Sequence, residues 1–175
     1  MELLIFSDSH GRSDGMRQAL ACQTARIESV IYLGDGLRDT DIEELSAQPL
    51  YAVKGNCDVF LHGYGSFAYD ELTVEIGGKT IMMTHGAAYG VKGGLESLIL
   101  AAIQKNADIV LFGHTHRPYY RHFPAGTRLL GCKLERDLHV FNPGSIGVNE
   151  DGEGKSFGTL LIQGKSVLLS HGRIR

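Results

Sequence analysis

Five short apolar runs occur in the first two thirds of the chain, and each ends in groups able to bind a metal or hold a turn. Leu3 to Phe6 leads into Ser7-Asp8-Ser9-His10, Val30 to Leu33 into Gly34-Asp35-Gly36, and Leu50 to Val53 into Lys54-Gly55-Asn56-Cys57-Asp58. Ile81 to Met83 leads into Thr84-His85-Gly86, and Ile109 to Phe112 into Gly113-His114-Thr115-His116. Runs of this length bounded by glycine read as buried strands. In open α/β sheets, ligands bind outside the carboxyl ends of the strands. Lying side by side, these strands would deliver Asp, His, Asn and His side chains to one place.

The residues between the runs predict the connections. Ser13 or Asp14 can cap a helix whose apolar residues Met16, Ala19, Leu20 and Ile27 lie near helical spacing. Thr40-Asp41-Ile42-Glu43 matches a capping box and predicts a second helix that ends before Pro49. Residues 1–58 therefore read as a βαβαβ unit with a parallel sheet. Gly77-Gly78 and Gly164-Lys165 each separate two strand-like runs and predict hairpins. Leu95, Leu98, Ile99, Ala102 and Ile103 mark an amphipathic helix. No repeat or boundary is visible, so one domain over residues 1–175 is expected. Its class is α+β with an α/β-like first half, built as two packed mixed sheets with outer helices.

Composition narrows the function. A chain of 175 residues that is 43% hydrophobic can bury a real core. Its 23 glycines are about twice the ordinary ~7% usage and cluster at strand ends and turns, as a turn-rich fold requires. A formal charge of −3 argues against an extended nucleic-acid or membrane surface. Cys22, Cys57 and Cys132 form no CxxC pair, which favours a reduced, cytoplasmic setting over a disulfide framework. Neither a signal peptide nor a membrane span is expected, because the chain has no leader-like segment and no apolar stretch of about 18 residues.

Taken singly, each polar group at a strand end is an ordinary turn residue. Together they read as a metal site. Asp8-x-His10 and His114-x-His116 each place two ligands on the same side of a strand or its exit turn. Asp35, between two glycines, has two carboxylate oxygens and can bridge two cations, which a neutral imidazole cannot. The amide oxygen of Asn56 is a neutral hard ligand, and His85 completes the set.

In this order, the D-x-H, G-D, G-N-C-D, H and G-H-x-H blocks resemble the calcineurin-like metallophosphoesterase superfamily. Asn142-Pro143-Gly144-Ser145 is similar to a segment of its small YfcE-like phosphodiesterase branch. The resemblance implies a four-layer αββα fold and a dinuclear centre. Asp8, His10, Asp35 and His116 would hold one divalent ion, and Asp35, Asn56, His85 and His114 the second, with Asp35 bridging. Mn²⁺ is the ion implied, and Fe, Ni, Co or Zn suit the same donors. Two divalent ions and two aspartates leave a net charge of +2, which attracts a phosphate ester, and a bridging hydroxide would attack in line. The expected function is a phosphoesterase, with diesters preferred, acting on a small phosphate ester. Catalysis is assigned to Asp35, His10, Asn56, Cys57 and Asp58, and substrate contact to Asn56, Arg117 and His122. Arg12 and Lys54 are further basic residues beside the motifs. Homo-oligomerisation is left open.

One departure matters. Where the superfamily usually carries histidine after the Gly-Asn pair, this chain has Cys57, which is itself typical of the YfcE-like branch. The imidazole expected to protonate the leaving group is missing, and Cys57 stands equally as a packing residue and as a participant. Asp58 either orients a ligand imidazole or closes the turn. The alternative function is a non-catalytic scaffold similar to the retromer subunit Vps29, in which ligand positions are altered; here each is filled by a competent residue. His62, His139 and His171 lie outside the blocks and read as surface or satisfied histidines. Specificity is expected from loops around residues 59–70, 86–94 and 117–137.

Overall fold

The computed structural model describes residues 1–58, 69–148, 152 and 154–174. His62 and most of the 59–70 loop lie outside these residues. The first sheet contains β1 (Glu2–Phe6), β2 (Ser29–Tyr32), β3 (Leu50–Ala52), β11 (Lys155–Gln163) and β12 (Ser166–Ile174), in the order β12-β11-β1-β2-β3. The second contains β4 (Glu71–Ile76), β5 (Lys79–Thr84), β6 (Ile109–Leu111), β7 (Pro118–Phe123) and β10 (Leu138–Pro143), in the order β4-β5-β6-β10-β7. A two-stranded ribbon of β8 (Arg128–Leu129) and β9 (Cys132–Lys133) interrupts the path from β7 to β10.

Every apolar position of β1 is buried, and the pleat sends alternate residues to opposite sides. Leu3 and Ile5 meet Ile81, Met83, Ile109, Leu111 and Phe141 of the other sheet, forming the central layer of the core. Leu4 and Phe6 face the other way, onto Met16 and Ala19 of α1 (Asp14–Ala21). On the far side, Leu98, Ile99 and Ala102 of α2 (Glu96–Gln104) cover Met82, Val110 and Val140. The order of layers is therefore helix, sheet, sheet, helix, as expected. Each fully buried Leu or Ile in these layers contributes about 1.5–3 kcal/mol. No helix of the described residues is long and apolar enough to cross a membrane.

Strands β1, β2 and β3 pair in parallel, as do β5, β6 and β10. Their carboxyl ends open on one rim of the sandwich. Both glycine hairpins form: Gly77 and Gly78 adopt φ of 59° and 74° between β4 and β5, and Gly164 adopts 56° between β11 and β12.

Three expectations need correction. The second crossover is not an α-helix but two 3₁₀ turns, Leu37–Thr40 and Glu43–Leu45. Asp39 is tied to the Gly11 N–H at 2.8 Å and to Ser9 Oγ at 2.5 Å, while Thr40 Oγ1 donates to the Leu37 carbonyl at 2.6 Å. These ties hold a segment too short to sustain an isolated helix against tertiary contacts. The first helix stops at Ala21, so the buried Ile27 lies beyond it, and Ser13 makes no side-chain cap. Residues 117–137 are not a loop throughout, since β7 pairs antiparallel with β10 along its whole length.

Candidate metal centre

Beyond Phe6, the chain turns sharply and sends both Asp8 and His10 to the rim, with φ of 56° and 48°. Asp35 follows β2 at 59°, and His114 and His116 follow β6 at 67° and 58°. Five of the seven non-glycine residues with positive φ among the described residues are thus expected metal ligands. A left-handed backbone costs about 1–2 kcal/mol for an ordinary L-residue. Such strain persists only where its surroundings over-determine it, as they do at functional sites.

The side chains converge in two groups. Asp8, His10 and His116 bring one ligand atom each within 4.8 Å of one another, and so do Asp35, His85 and His114. In the first group, His10 Nε2 stands 3.1 Å from His116 Nε2, and His116 Nε2 3.3 Å from Asp8 Oδ1. In the second, His85 Nε2 stands 3.2 Å from His114 Nδ1 and 3.1 Å from Asn56 Oδ1. Asp35 Oδ2 faces both groups, 3.4 Å from His85 Nε2 and 4.0 Å from His10 Nε2.

These spacings fit divalent ions. Donors bonded to one ion at about 2.1 Å stand roughly 3.0–3.4 Å apart. Asp8 Oδ1 is buried and has no hydrogen-bond partner among the described residues, a costly arrangement unless a cation completes it. Its other oxygen is satisfied by Ser7 Oγ at 2.5 Å and the His114 N–H at 3.0 Å, which fixes the carboxylate with Oδ1 aimed into the group. His85 Nδ1 lies 2.7 Å from the Leu33 carbonyl. A carbonyl only accepts, so Nδ1 carries a proton and Nε2, directed at the cluster, is the atom that would ligate a metal once unprotonated.

Electrostatics point the same way. Asp8 and Asp35 are almost fully buried, and their ion-pair partners are imidazoles. Burial pushes the Asp35 carboxyl upward, but hydrogen bonds from His85 and the Cys57 N–H outweigh it and hold the group well below the usual carboxylate range. Burial pulls His85 down, and Asp35 and Asp8 more than reverse this, leaving it raised. His114 is lowered by burial first and then by the charges of His85 and Lys92.

Glycine allows the loops to close. A Cβ on Gly55 would stand 2.0 Å from Asp35 Oδ1, and one on Gly113 would stand 2.0 Å from Ser7 Oγ. Asp58 lies behind this contact. Its carboxylate accepts the N–H groups of Asp35, Gly36, Leu37 and Gly55 at 2.8–3.1 Å, so it shapes the turns rather than entering the cluster. Cys57 Sγ lies beside His10 and Asp35. Burial and the Asp35 carboxylate push its thiol pKa up.

The residues expected at the substrate separate. Asn56 is in the cluster. Arg117 lines a cavity of about 650 Å³ together with His116, Lys92 and an apolar wall of Val91, Leu95 and Phe112. His122 is not brought there and pairs instead with Asp137. Arg12 donates to the Gly147 carbonyl at 3.1 Å, and Lys54 lies 3.6 Å from Asp70.

Sequence reasoning missed the braces. Asn142 Nδ2 donates to the Gly113 carbonyl at 2.8 Å and to Thr115 Oγ1 at 3.1 Å, while Ser145 Oγ donates to the Asp8 carbonyl at 2.7 Å. The Asn142 to Ser145 segment therefore buttresses two ligand loops from behind. Only the resemblance of that segment pointed to it. Ser7 and Lys92 carried no readable signal.

Comparisons with known proteins agree with this architecture. The chain is 32% identical over 163 residues to the "Probable metallophosphoesterase YsnB" of Bacillus subtilis, covering 93% of this chain and 85% of the relative. It is 24% identical over 181 residues to the phosphodiesterase YfcE of Escherichia coli, covering 91% and 87%. The structure of Vacuolar Protein Sorting 29 from Cryptosporidium parvum superposes with a TM-score of 0.74 at 20% identity, over 99% of this chain and 91% of that one, which shows a shared fold. The profile of the calcineurin-like phosphoesterase superfamily domain matches residues 1–172, and the chain belongs to that superfamily.

Proposed function

We propose that the protein is a dinuclear metal-dependent phosphoesterase that prefers diesters. The observation that carries this reading is the Asp35 carboxylate, whose Oδ2 faces one group with His85, His114 and Asn56 and another with Asp8, His10 and His116. Two divalent ions bound there would polarise a phosphoryl oxygen and acidify a water for in-line attack. Carboxylate, amide and imidazole donors suit Mn²⁺ and also admit Fe, Ni, Co or Zn.

The chain's own residues supply the rest. With two divalent ions bound, Asp35 and Asp8 would neutralise only half of their charge and the neutral imidazoles none, so the centre would stay net positive toward an anionic ester. Asn56, at the edge of the second group, offers an amide to a phosphoryl oxygen. Arg117 and Lys92 flank the adjoining cavity, where a substituent of the ester can lie against Val91, Leu95 and Phe112. Cys57 occupies the place of an imidazole acid. Leaving groups that depart without strong protonation are therefore favoured, which supports diesters of acidic alcohols over monoesters.

The test is steady-state hydrolysis of bis(para-nitrophenyl) phosphate and para-nitrophenyl phosphate, with Mn²⁺ and with chelator. The expected result is chelator-sensitive hydrolysis restored by Mn²⁺, with the larger kcat/KM on the diester. Equal or reversed kcat/KM removes the diester preference. No metal-dependent turnover on either ester favours the scaffold reading, which the fold shared with Vacuolar Protein Sorting 29 keeps in view.

A further inference from the structure

The cavity beside His116 carries more positive charge than a single phosphodiester can use. Lys92 and Arg117 line it, and no aspartate or glutamate among the described residues does. In a chain whose formal charge is −3, such a one-signed cavity is a local exception. Arg17, Lys54, Lys105 and Lys155 each have a carboxylate oxygen at 3.6 Å or closer. Among the described residues, neither Lys92 nor Arg117 has such a partner.

Both residues stand on anchored backbone. Val91, just before Lys92, is buried in the core layer that α2 covers, so close to Gly86 that a Cβ there would stand 2.9 Å from Val91 Cγ2. The Gly93 N–H donates to the Gly90 carbonyl at 2.8 Å and closes the turn that presents Lys92. The charge of Lys92 acts on His114, which puts its ammonium near the second ligand group. Arg117 lies between His116 and Pro118, where β7 begins its pairing with β10, and Thr115 before it is tied to Asn142. The wall these residues share is largely apolar: Phe112 is buried, its ring centroid is 6.2 Å from that of Tyr119, and Val91 and Leu95 complete the surface. A volume of about 650 Å³ suits a small organic group.

We propose, building on the phosphoesterase reading, that the substrate is a diester with a second anionic group, carried on an aromatic or apolar body that lies in this cavity, and that Lys92 and Arg117 select it. Two divalent ions held by only two aspartates would already outweigh the single negative charge of a diester, so the scissile phosphate leaves both basic side chains unmatched. An arginine offers a planar fork to a carboxylate or phosphate, and a lysine adds a mobile point charge. Asn56, Cys57 and Asp58 do not line the cavity, so it faces the substituent that stays on phosphorus rather than the one that departs beside Cys57. The apolar wall would hold the body of that substituent and bring its acidic end to the two cations.

The test compares para-nitrophenyl phenyl phosphate with its 4-carboxyphenyl analogue, both with Mn²⁺. Each ester takes up one water across a P–O bond and releases para-nitrophenol, so only the retained substituent differs. Wild type should show about tenfold larger kcat/KM on the carboxylated ester, and this ratio should fall toward unity in Lys92→Ala and in Arg117→Ala. A wild-type ratio of unity overturns the proposal and leaves the phosphoesterase reading standing. An undiminished ratio in both variants also overturns it, because residues that serve the scissile phosphate alone would slow both esters equally. Titration calorimetry of the Mn²⁺-loaded protein with phenylphosphonate, 4-phosphonobenzoate and 1,4-phenylenediphosphonate makes the same comparison without turnover. Tighter binding of the diphosphonate than of the phosphonobenzoate identifies the second group as a phosphate, and the reverse order identifies a carboxylate. If neither ester is hydrolysed, the phosphoesterase reading fails and the phosphonates still decide the anion site. Equal affinity for all three overturns it, while a preference of about tenfold for the two doubly acidic compounds, lost in both variants, upholds it.

Discussion

Asp35 and Asp58 hold each other's loops: Asp58 Oδ2 accepts the Asp35 N–H at 2.8 Å, and Asp35 Oδ1 accepts the N–H of Cys57, the neighbour of Asp58, at 2.7 Å. The exit of β2 and the exit of β3 are therefore latched before any ion arrives. The carboxylate proposed to bridge the ions is aimed by one that touches neither.

This latch makes Asp58→Asn informative. An amide in place of one oxygen turns a donor toward backbone N–H groups, and a buried mismatch of this kind costs about 1–3 kcal/mol. The variant should unfold about 5 °C lower and bind metal about 10–100-fold more weakly, while retaining part of its rate at saturating metal. Differential scanning calorimetry and metal titration check the two effects. Unchanged metal affinity would falsify the positioning role.

Loss of a ligand should behave differently. Asp35→Asn and His114→Ala are expected to lower kcat/KM by about 100-fold or more even with excess metal, because the charge or donor that forms the centre is gone. Elemental analysis of the Mn²⁺-replete variants should show fewer ions than wild type. Wild-type turnover in either variant would mean that catalysis lies elsewhere.

Cys57→His restores the imidazole that the wider superfamily carries. General-acid assistance is worth about 10²–10⁴-fold for a poor leaving group and little for a good one. The variant should therefore gain most on esters of weakly acidic alcohols and flatten the dependence of rate on leaving-group pKa. A parallel shift across the whole series would refute the assignment.

His171 gives a pH signature unconnected with metal. Its ring stacks on Phe141 with centroids 4.4 Å apart, and Nε2 donates to the Asn142 carbonyl at 2.7 Å. Burial lowers its pKa and Arg173 adds to this, while the Asn142 bond only partly opposes them. A histidine lowered in the fold contributes stability that is complete above its unfolded pKa of about 6.5 and is lost as pH falls through its folded value. In chelator-treated protein, His171→Gln should unfold with a shallower loss of stability below pH ~6.5 than wild type. Identical slopes would rule His171 out as a contributor.

The strand ends were legible because burial on both faces leaves continuous apolar runs, and glycine must follow where loops pack within a Cβ of each other, as Gly55 does against Asp35. The hairpins were legible because Gly77-Gly78 and Gly164 sit at turn positions that need positive φ. Residues 40–48 misled because their capping box is a local signal, whereas Asp39 is held by Ser9 and Gly11 from a distant loop. Strand β7 was missed because Pro118 opens it and its outward residues are polar. Asn142 and Asp58 could not be assigned because their role lies in backbone groups far away in sequence, which residue types do not encode.

Unlike Asp8 and Asp35, whose carboxylates also hold backbone N–H groups, the left-handed His10, His114 and His116 set stability and function against each other at the same positions. Glycine at any of them relieves the backbone and removes a donor, so the metal-free fold gains what the centre loses. A library of this protein selected for thermal tolerance alone, in chelator, should drift toward glycine at these sites. The same library selected with metal and substrate should keep histidine at these sites despite its cost.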